Sequence, residues 1–149
     1  MNLSHIQRMT QRVGAALLLA CCALLSHGAQ AQSSVVYHID NATAQGLKGL
    51  RNIRNHLDVA PSTKIIVVTH AEGVDLLLDG GKDEKNNVDY APLVAALKSR
   101  GVRFEVCEIT LKNRKLSKDQ FVLDADFTPS GVVRIADLQF QERYAYIKP

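Results

Sequence analysis

Hydrophobic and polar positions along the chain fall into segments of two alternating kinds. Lys64 to His70 holds Ile65-Ile66-Val67-Val68, a continuous β-branched run of the kind that fills a central strand buried on both faces. Val35 to Asp40 and Arg103 to Glu108 read as further strands, and Ala125 to Thr128 and Tyr144 to Ile147 as two brief ones. Between the first two, Thr43 to Leu57 sets Leu47, Leu50, Ile53 and Leu57 at helical spacing with its charges on the other face. Glu72 to Leu78 reads as a short helix, and Asp79 to Asn87 as a polar, solvated connection containing Gly80-Gly81. Asp89 to Arg100 is predicted helical, with Pro92 in its first turn and Gly101 in the C-terminal capping position. Ser117 opens a short helix reaching Leu123, and Ser130 caps one that runs to about Gln141 with Val132, Ile135, Ala136 and Leu138 as its apolar surface. Strands alternating with helices predict one α/β domain, a five-stranded parallel sheet with helices on both faces.

The first 31 residues follow a different pattern. Met1 to Arg12 carries Arg8 and Arg12 and no acid, Val13 to Leu25 is apolar, and Ala29-Gln30-Ala31 offers the small-x-small site of a signal peptidase. The predicted organisation is a cleavable signal over 1–31 and the α/β domain over 32–149, with a periplasmic or secreted product. The apolar block is about 13 residues, short of the roughly 18 that read as a membrane-spanning helix, so no stable membrane insertion is expected. Leu18-Leu19-Ala20-Cys21 loosely resembles a lipobox. The apolar run continuing past Cys21 into a conventional cleavage site argues against acylation there.

Removing that segment changes the charge and the cysteine count. The whole chain carries a formal +3, two of it from Arg8 and Arg12, so the remainder sits near neutrality. It has no basic stripe interleaved with aromatics, the footprint of a nucleic-acid binder. Cys21 and Cys22 leave with the signal, and Cys107 is the thiol that remains. With no second cysteine in the domain, an internal disulfide framework is excluded. GxGxxG, GxxxxGK[ST] and GxSxG are all absent, as are CxxC and HExxH, so neither a nucleotide cofactor nor a metal is expected.

In open parallel α/β sheets ligands bind beyond the carboxyl ends of the strands. Those ends here carry Asp40-Asn41, His70 with Glu72 just beyond, and Cys107 with Thr110 three residues on. As a nucleophile, Cys107 needs thiolate character from a nearby cation, an imidazole or a helix N-terminus. His70 is the natural partner, and Lys112, Arg114 and Lys115 follow closely enough to add positive potential. The opposite reading stands beside it, because a free cysteine in a buried strand often packs as a small inert hydrophobe. Asp40, Asn41, Glu72 and Thr110 are candidate binding residues on the same edge, with turn and helix-start roles as the alternative.

Three stretches carry a family resemblance. Gly101-Val102-Arg103-Phe104-Glu105-Val106-Cys107-Glu108-Ile109-Thr110 resembles the G-V-x-F-x-x-C-x-N-T segment of the DsrE/DsrF-like family. Ile65 to His70 is similar to that family's second strand, and Pro129-Ser130-Gly131-Val132, Leu138-Gln139 and Tyr144-Ala145-Tyr146-Ile147-Lys148-Pro149 to its ending. The resemblance implies homotrimers or homohexamers and, as in the sulfur-relay members, a persulfide carried on the cysteine after the third strand, here Cys107, and passed to a partner protein without a cofactor. It leaves open whether the chain is a sulfurtransferase-like enzyme or a binding or assembly module with a structural Cys107. Two positions depart from the pattern. Ile109 stands where relatives have Asn, and Ala71 where they have Gly.

Overall fold

The computed structural model describes residues 32–123 and 125–149, which belong to one compact unit, Gln32–Pro149. The segment 1–31, read from the sequence as an export signal, and Cys21 within it lie outside the described residues. The main sheet has five parallel strands: β1 (Ser34–Asn41), β2 (Lys64–Glu72), β5 (Arg103–Cys107), β6 (Ala125–Thr128) and β7 (Ala145–Ile147), in the order β6-β5-β2-β1-β7. All five strands legible in the sequence are present. β1 and β2 are the long inner strands, and their β-branched cores are fully buried.

Alternation along the strands divides the interior in two. Val35, Tyr37 and Ile39 of β1, Ile65 and Val67 of β2, and Phe104 and Val106 of β5 join one large cluster. α1 (Ala42–Val59) and α2 (Tyr90–Lys98) close it with Leu47, Leu50, Ile53, Leu57, Tyr90, Val94 and Leu97. The next residues along point the other way, and Val36, Ile66 and Val68 meet Ile135 and Leu138 of α4 (Gly131–Phe140) in a much smaller cluster. Helices therefore lie on both faces, but one face has a single helix and a short apolar patch. The carboxyl ends of the strands are left to polar side chains there.

Local chemistry explains most of the boundaries. Asn41 caps α1 by accepting from the Ala44 N–H, and Ser130 caps α4 by accepting from the Val133 N–H. Gly101 takes φ +87° two residues past the C-cap of α2, where a left-handed conformation favours glycine. The segments 72–78 and 117–123 form 3-10 turns at Gly73–Leu77 and Lys118–Gln120, not α-helices. The polar connection 79–87 contains half of a two-stranded antiparallel hairpin, β3 (Lys82–Asp83) against β4 (Val88–Asp89), pinned by Asp83 accepting from the Asn86 backbone and side-chain amides.

A further element was not legible in advance. The third strand stops at Cys107 and Glu108 opens α3 (Glu108–Arg114), so Cys107 is the N-cap of a helix. Glu108 lies in its first turn and Lys112 and Arg114 in its last, the arrangement that complements the helix dipole. The turn entering α3 depends on Ala71, held at φ +49° with its N–H donating to the Thr110 hydroxyl and its carbonyl accepting from Arg114. A Cβ is unfavourable in that region. Ala71→Gly is expected to raise stability by up to about 1 kcal/mol, seen as a higher denaturation midpoint.

Candidate functional site

The carboxyl ends of β1, β2 and β5 converge where the single-helix face meets α3 and α4. Val36, Ile66 and Val68 of that face are followed at alternate positions by His38 and Asp40 on β1 and by His70 on β2. β2 and β5 are in register up to Thr69 opposite Val106, so the next residues, His70 and Cys107, are neighbours across the two strands. Gly131, the first residue of α4, fits between them. A Cβ on Gly131 would lie 3.2 Å from the Cys107 Cβ and 3.3 Å from the His70 Cβ.

Cys107 is 4 % exposed. Burial pushes its thiol pKa up, but the Gly131 N–H, the Thr110 N–H and hydroxyl and the Ile109 N–H act against it, and the net displacement is downward. The neutral thiol makes no capping hydrogen bond; these donors act on the charged form. The thiolate is thus supported by the starts of two helices, α3 beneath it and α4 beside it. Thr110 links the parts, because its hydroxyl also accepts from the Ala71 N–H at 3.0 Å.

The basic residues after Cys107 are placed differently from the expectation. Arg114 pairs with Asp75 at 2.8 Å and donates to the Ala71 carbonyl, while Lys112 sits in the last turn of α3 and Lys115 caps its far end at φ +55°. Backbone amides and the Thr110 hydroxyl, not side-chain cations, favour the charged sulfur.

His70 is engaged elsewhere as well. Its Nε2 lies 2.6 Å from Nε2 of His38, and Nδ1 of His38 lies 2.7 Å from the Tyr146 hydroxyl, so three neighbouring strands contribute one hydrogen-bonded row. The His38 and His70 rings are 4.7 Å apart at their centres. Burial lowers the His38 pKa, His70 and Lys148 lower it further, and Asp40 opposes them. Asp40 itself is held below the usual carboxylate range by the hydrogen bond from Lys148, 2.6 Å away.

The structure brings Cys107, Thr110 and His70 together, with Asp40 near His38 and paired to Lys148. It does not bring Asn41 and Glu72 to them as ligands. The Asn41 side chain caps α1, and Glu72 is exposed at the end of β2. Among the described residues no group of three or more His, Cys, Asp or Glu side chains is arranged to hold a metal, and no helix is long and apolar enough to cross a membrane.

Five residues that matter here were not singled out from the sequence. His38 was one of several scattered histidines, and only the pairing of β1 with β2 and β7 reveals its role. Tyr146 and Gly131 stood in the family-like ending without a role. Buried Glu105 pairs with half-buried Arg134, whose Nε and Nη2 lie 2.8 and 3.2 Å from the two carboxylate oxygens. A carboxylate between Phe104 and Val106 in a strand read as buried was the available signal, since a buried carboxylate requires a counter-charge.

Fold and site together define a small α/β protein with one thiol at the carboxyl edge of a parallel sheet, set against two helix N-termini. The chain belongs to the DsrE/DsrF-like family, whose model matches residues 21–149. A solved structure of a protein of unknown function from Methanobacterium thermoautotrophicum is similar to it, with 32% identity over 79% of this chain and 100% of the other and a TM-score of 0.69. No curated protein matches. Membership in the family suggests a sulfur-relay-like role.

Proposed function

We propose that this is an exported sulfur-handling protein in which the Cys107 thiolate accepts a sulfane sulfur from a donor, holds it as a persulfide and hands it to an acceptor protein. The observation that carries the reading is the place of Cys107 at the start of α3 and against the first residue of α4, where the donors of Gly131, Thr110 and Ile109 favour the thiolate against the cost of burial. A thiolate is the nucleophile in such a transfer, and the same donors would hold the terminal charge of a persulfide. No cofactor enters the step. Self-association into a trimer or hexamer is part of the proposal, supported by Val132, Val133 and Phe140, which α4 leaves exposed.

A second reading is favoured by one observation. Cys107 is 4 % exposed, as a packed structural cysteine would be, and a binding or assembly module would keep its function in Cys107→Ser.

Alkylation of the purified, signal-free protein separates the two. The rate should track the thiolate fraction, rising about tenfold per pH unit below the Cys107 pKa and levelling above it, with a midpoint under the free-thiol value of about 8.5. After incubation with a low-molecular-weight persulfide the mass should increase by one sulfur atom, and Cys107→Ser should abolish both results. A thiol that labels only after unfolding would leave the binding module as the answer.

A further inference from the structure

Tyr146, His38 and His70 form an uninterrupted chain of hydrogen bonds that ends beside Cys107, and the thiolate does not need it. The donors that act on the sulfur are Gly131, Thr110 and Ile109, and no histidine is among them. We propose that the row Tyr146–His38–His70 is a proton relay for the transfer step, delivering a proton to the thiol that leaves the sulfur donor. The inference rests on the sulfur-transfer reading of Cys107 and adds the residues that complete the reaction.

The hydrogen-bond geometry dictates how such a relay is wired. Two Nε2 atoms at 2.6 Å share one proton, so one imidazole donates and the other accepts. When the Tyr146 hydroxyl donates to His38 Nδ1, His38 must carry its proton on Nε2 and donate it to His70 Nε2. His70 then carries its own proton on Nδ1, a nitrogen with no hydrogen-bond partner among the described residues. Releasing that proton lets each member pass one along, Tyr146 to His38 and His38 to His70, and water restores the tyrosine. Neither imidazole changes its net charge in the transfer. Tyr146 is 41% exposed, which puts the outer end in contact with solvent.

The surroundings suit a relay of neutral imidazoles. From β1, Asp40 faces the pair; from β7 and the residue just after it, Tyr146 and Lys148; from β5, Cys107; and α4 approaches with Gly131, its Arg134 being tied to Glu105 and Glu142. Asp40 is paired with Lys148, so the nearest carboxylate is largely neutralised. Burial and the neighbouring imidazole favour uncharged His38 at neutral pH.

The step balances without an oxidant. The Cys107 thiolate attacks the outer sulfur of a donor R–S–SH, a Cys107–S bond forms, the donor S–S bond breaks, and its electron pair leaves on R–S⁻. His70 Nδ1–H protonates that sulfur as it departs. The products are Cys107–S–SH and R–SH, with one proton drawn from water through Tyr146. An alkyl thiolate is a basic leaving group and gains from this proton, whereas an aromatic thiolate or iodide does not.

That difference supplies the test. Sulfur uptake by wild type, His38→Gln and Tyr146→Phe is timed with an alkyl persulfide and with an aryl persulfide, and each protein is alkylated with iodoacetamide in parallel. Both variants should take sulfur from the alkyl donor at least about tenfold more slowly, with the aryl-donor and iodoacetamide rates and the alkylation midpoint unchanged. No slowing with the alkyl donor overturns the relay, and so does equal slowing with all three reagents, which marks a structural role for the row. A wild-type protein that alkylates readily yet takes no sulfur from either donor overturns the sulfur-transfer reading itself, and the relay with it.

Discussion

Glu105→Gln should destabilise the domain by about 3 kcal/mol, the lower end of the cost of breaking a buried ion pair by removing one partner, because Arg134 is partly exposed and keeps Glu142. Glu105 is on the inner strand β5 with its side chain 3% exposed, and it receives Arg134 through two nitrogens and Arg103 through one at 3.0 Å. Loss of the carboxylate charge strands the Arg134 guanidinium, whose pKa is raised chiefly by its hydrogen bonds to Glu105. Glu142 alone would remain on it, at 2.7 Å near the surface. A domain of this size is stable by only about 5–15 kcal/mol, so urea unfolding should show a much lower midpoint at nearly constant slope. Replacing both partners, Glu105→Met with Arg134→Met, removes the stranded charge and should recover much of the loss. A double variant as unstable as the single one would mean that packing, not charge, carries the cost. By contrast, Arg100 and Asp58 pair in the open, and breaking that contact should cost within about 1 kcal/mol.

The contrast between these pairs shows what the sequence made legible. The five parallel strands, the long helix after β1 and the caps at Ser130 and Gly101 follow from periodicity and local backbone chemistry, which act over a few residues. Cys107 and His70 were legible as strand-end residues for the same reason. α3 was not, because it has only seven residues and carries the β-branched Ile109 and Thr110 just behind Glu108, a run that reads as continuing the strand. Its signal lay in the charge order, Glu108 first and Lys112 and Arg114 last. His38, Tyr146 and Arg134 depend on strand order and on where α4 docks, which are long-range properties. His38 meets Tyr146 across 108 positions and His70 across 32, and nothing in the local pattern of either histidine announces the other.

Gly131→Ala should raise the Cys107 pKa by roughly one to two units, the equivalent of one hydrogen bond to a charged group, about 1.5–3 kcal/mol. Of the donors that favour the thiolate, the Gly131 N–H is the strongest. It can reach the sulfur because glycine lets the first turn of α4 come down between two strands. A methyl group there would meet the Cβ atoms of Cys107 and His70 at 3.2 and 3.3 Å and the Thr69 carbonyl oxygen at 3.5 Å. Strand backbone cannot retreat easily, so the helix start must lift. Glu105 resists that motion through Arg134, one turn along α4, whose N–H still bonds the Ser130 carbonyl. The compromise is a small displacement that lengthens the Gly131 N–H contact while the helix remains docked. The sign follows from the charge: removing a donor to the thiolate favours the protonated form, so the alkylation profile shifts to higher pH. At pH values below the wild-type pKa the thiolate fraction should fall by roughly ten- to a hundredfold, in step with the shift. Sulfur uptake should fall with it, whereas Tyr146→Phe should leave the alkylation midpoint where it was. An unmoved midpoint in a folded Gly131→Ala protein would assign the low pKa to Thr110 and Ile109 of α3 alone.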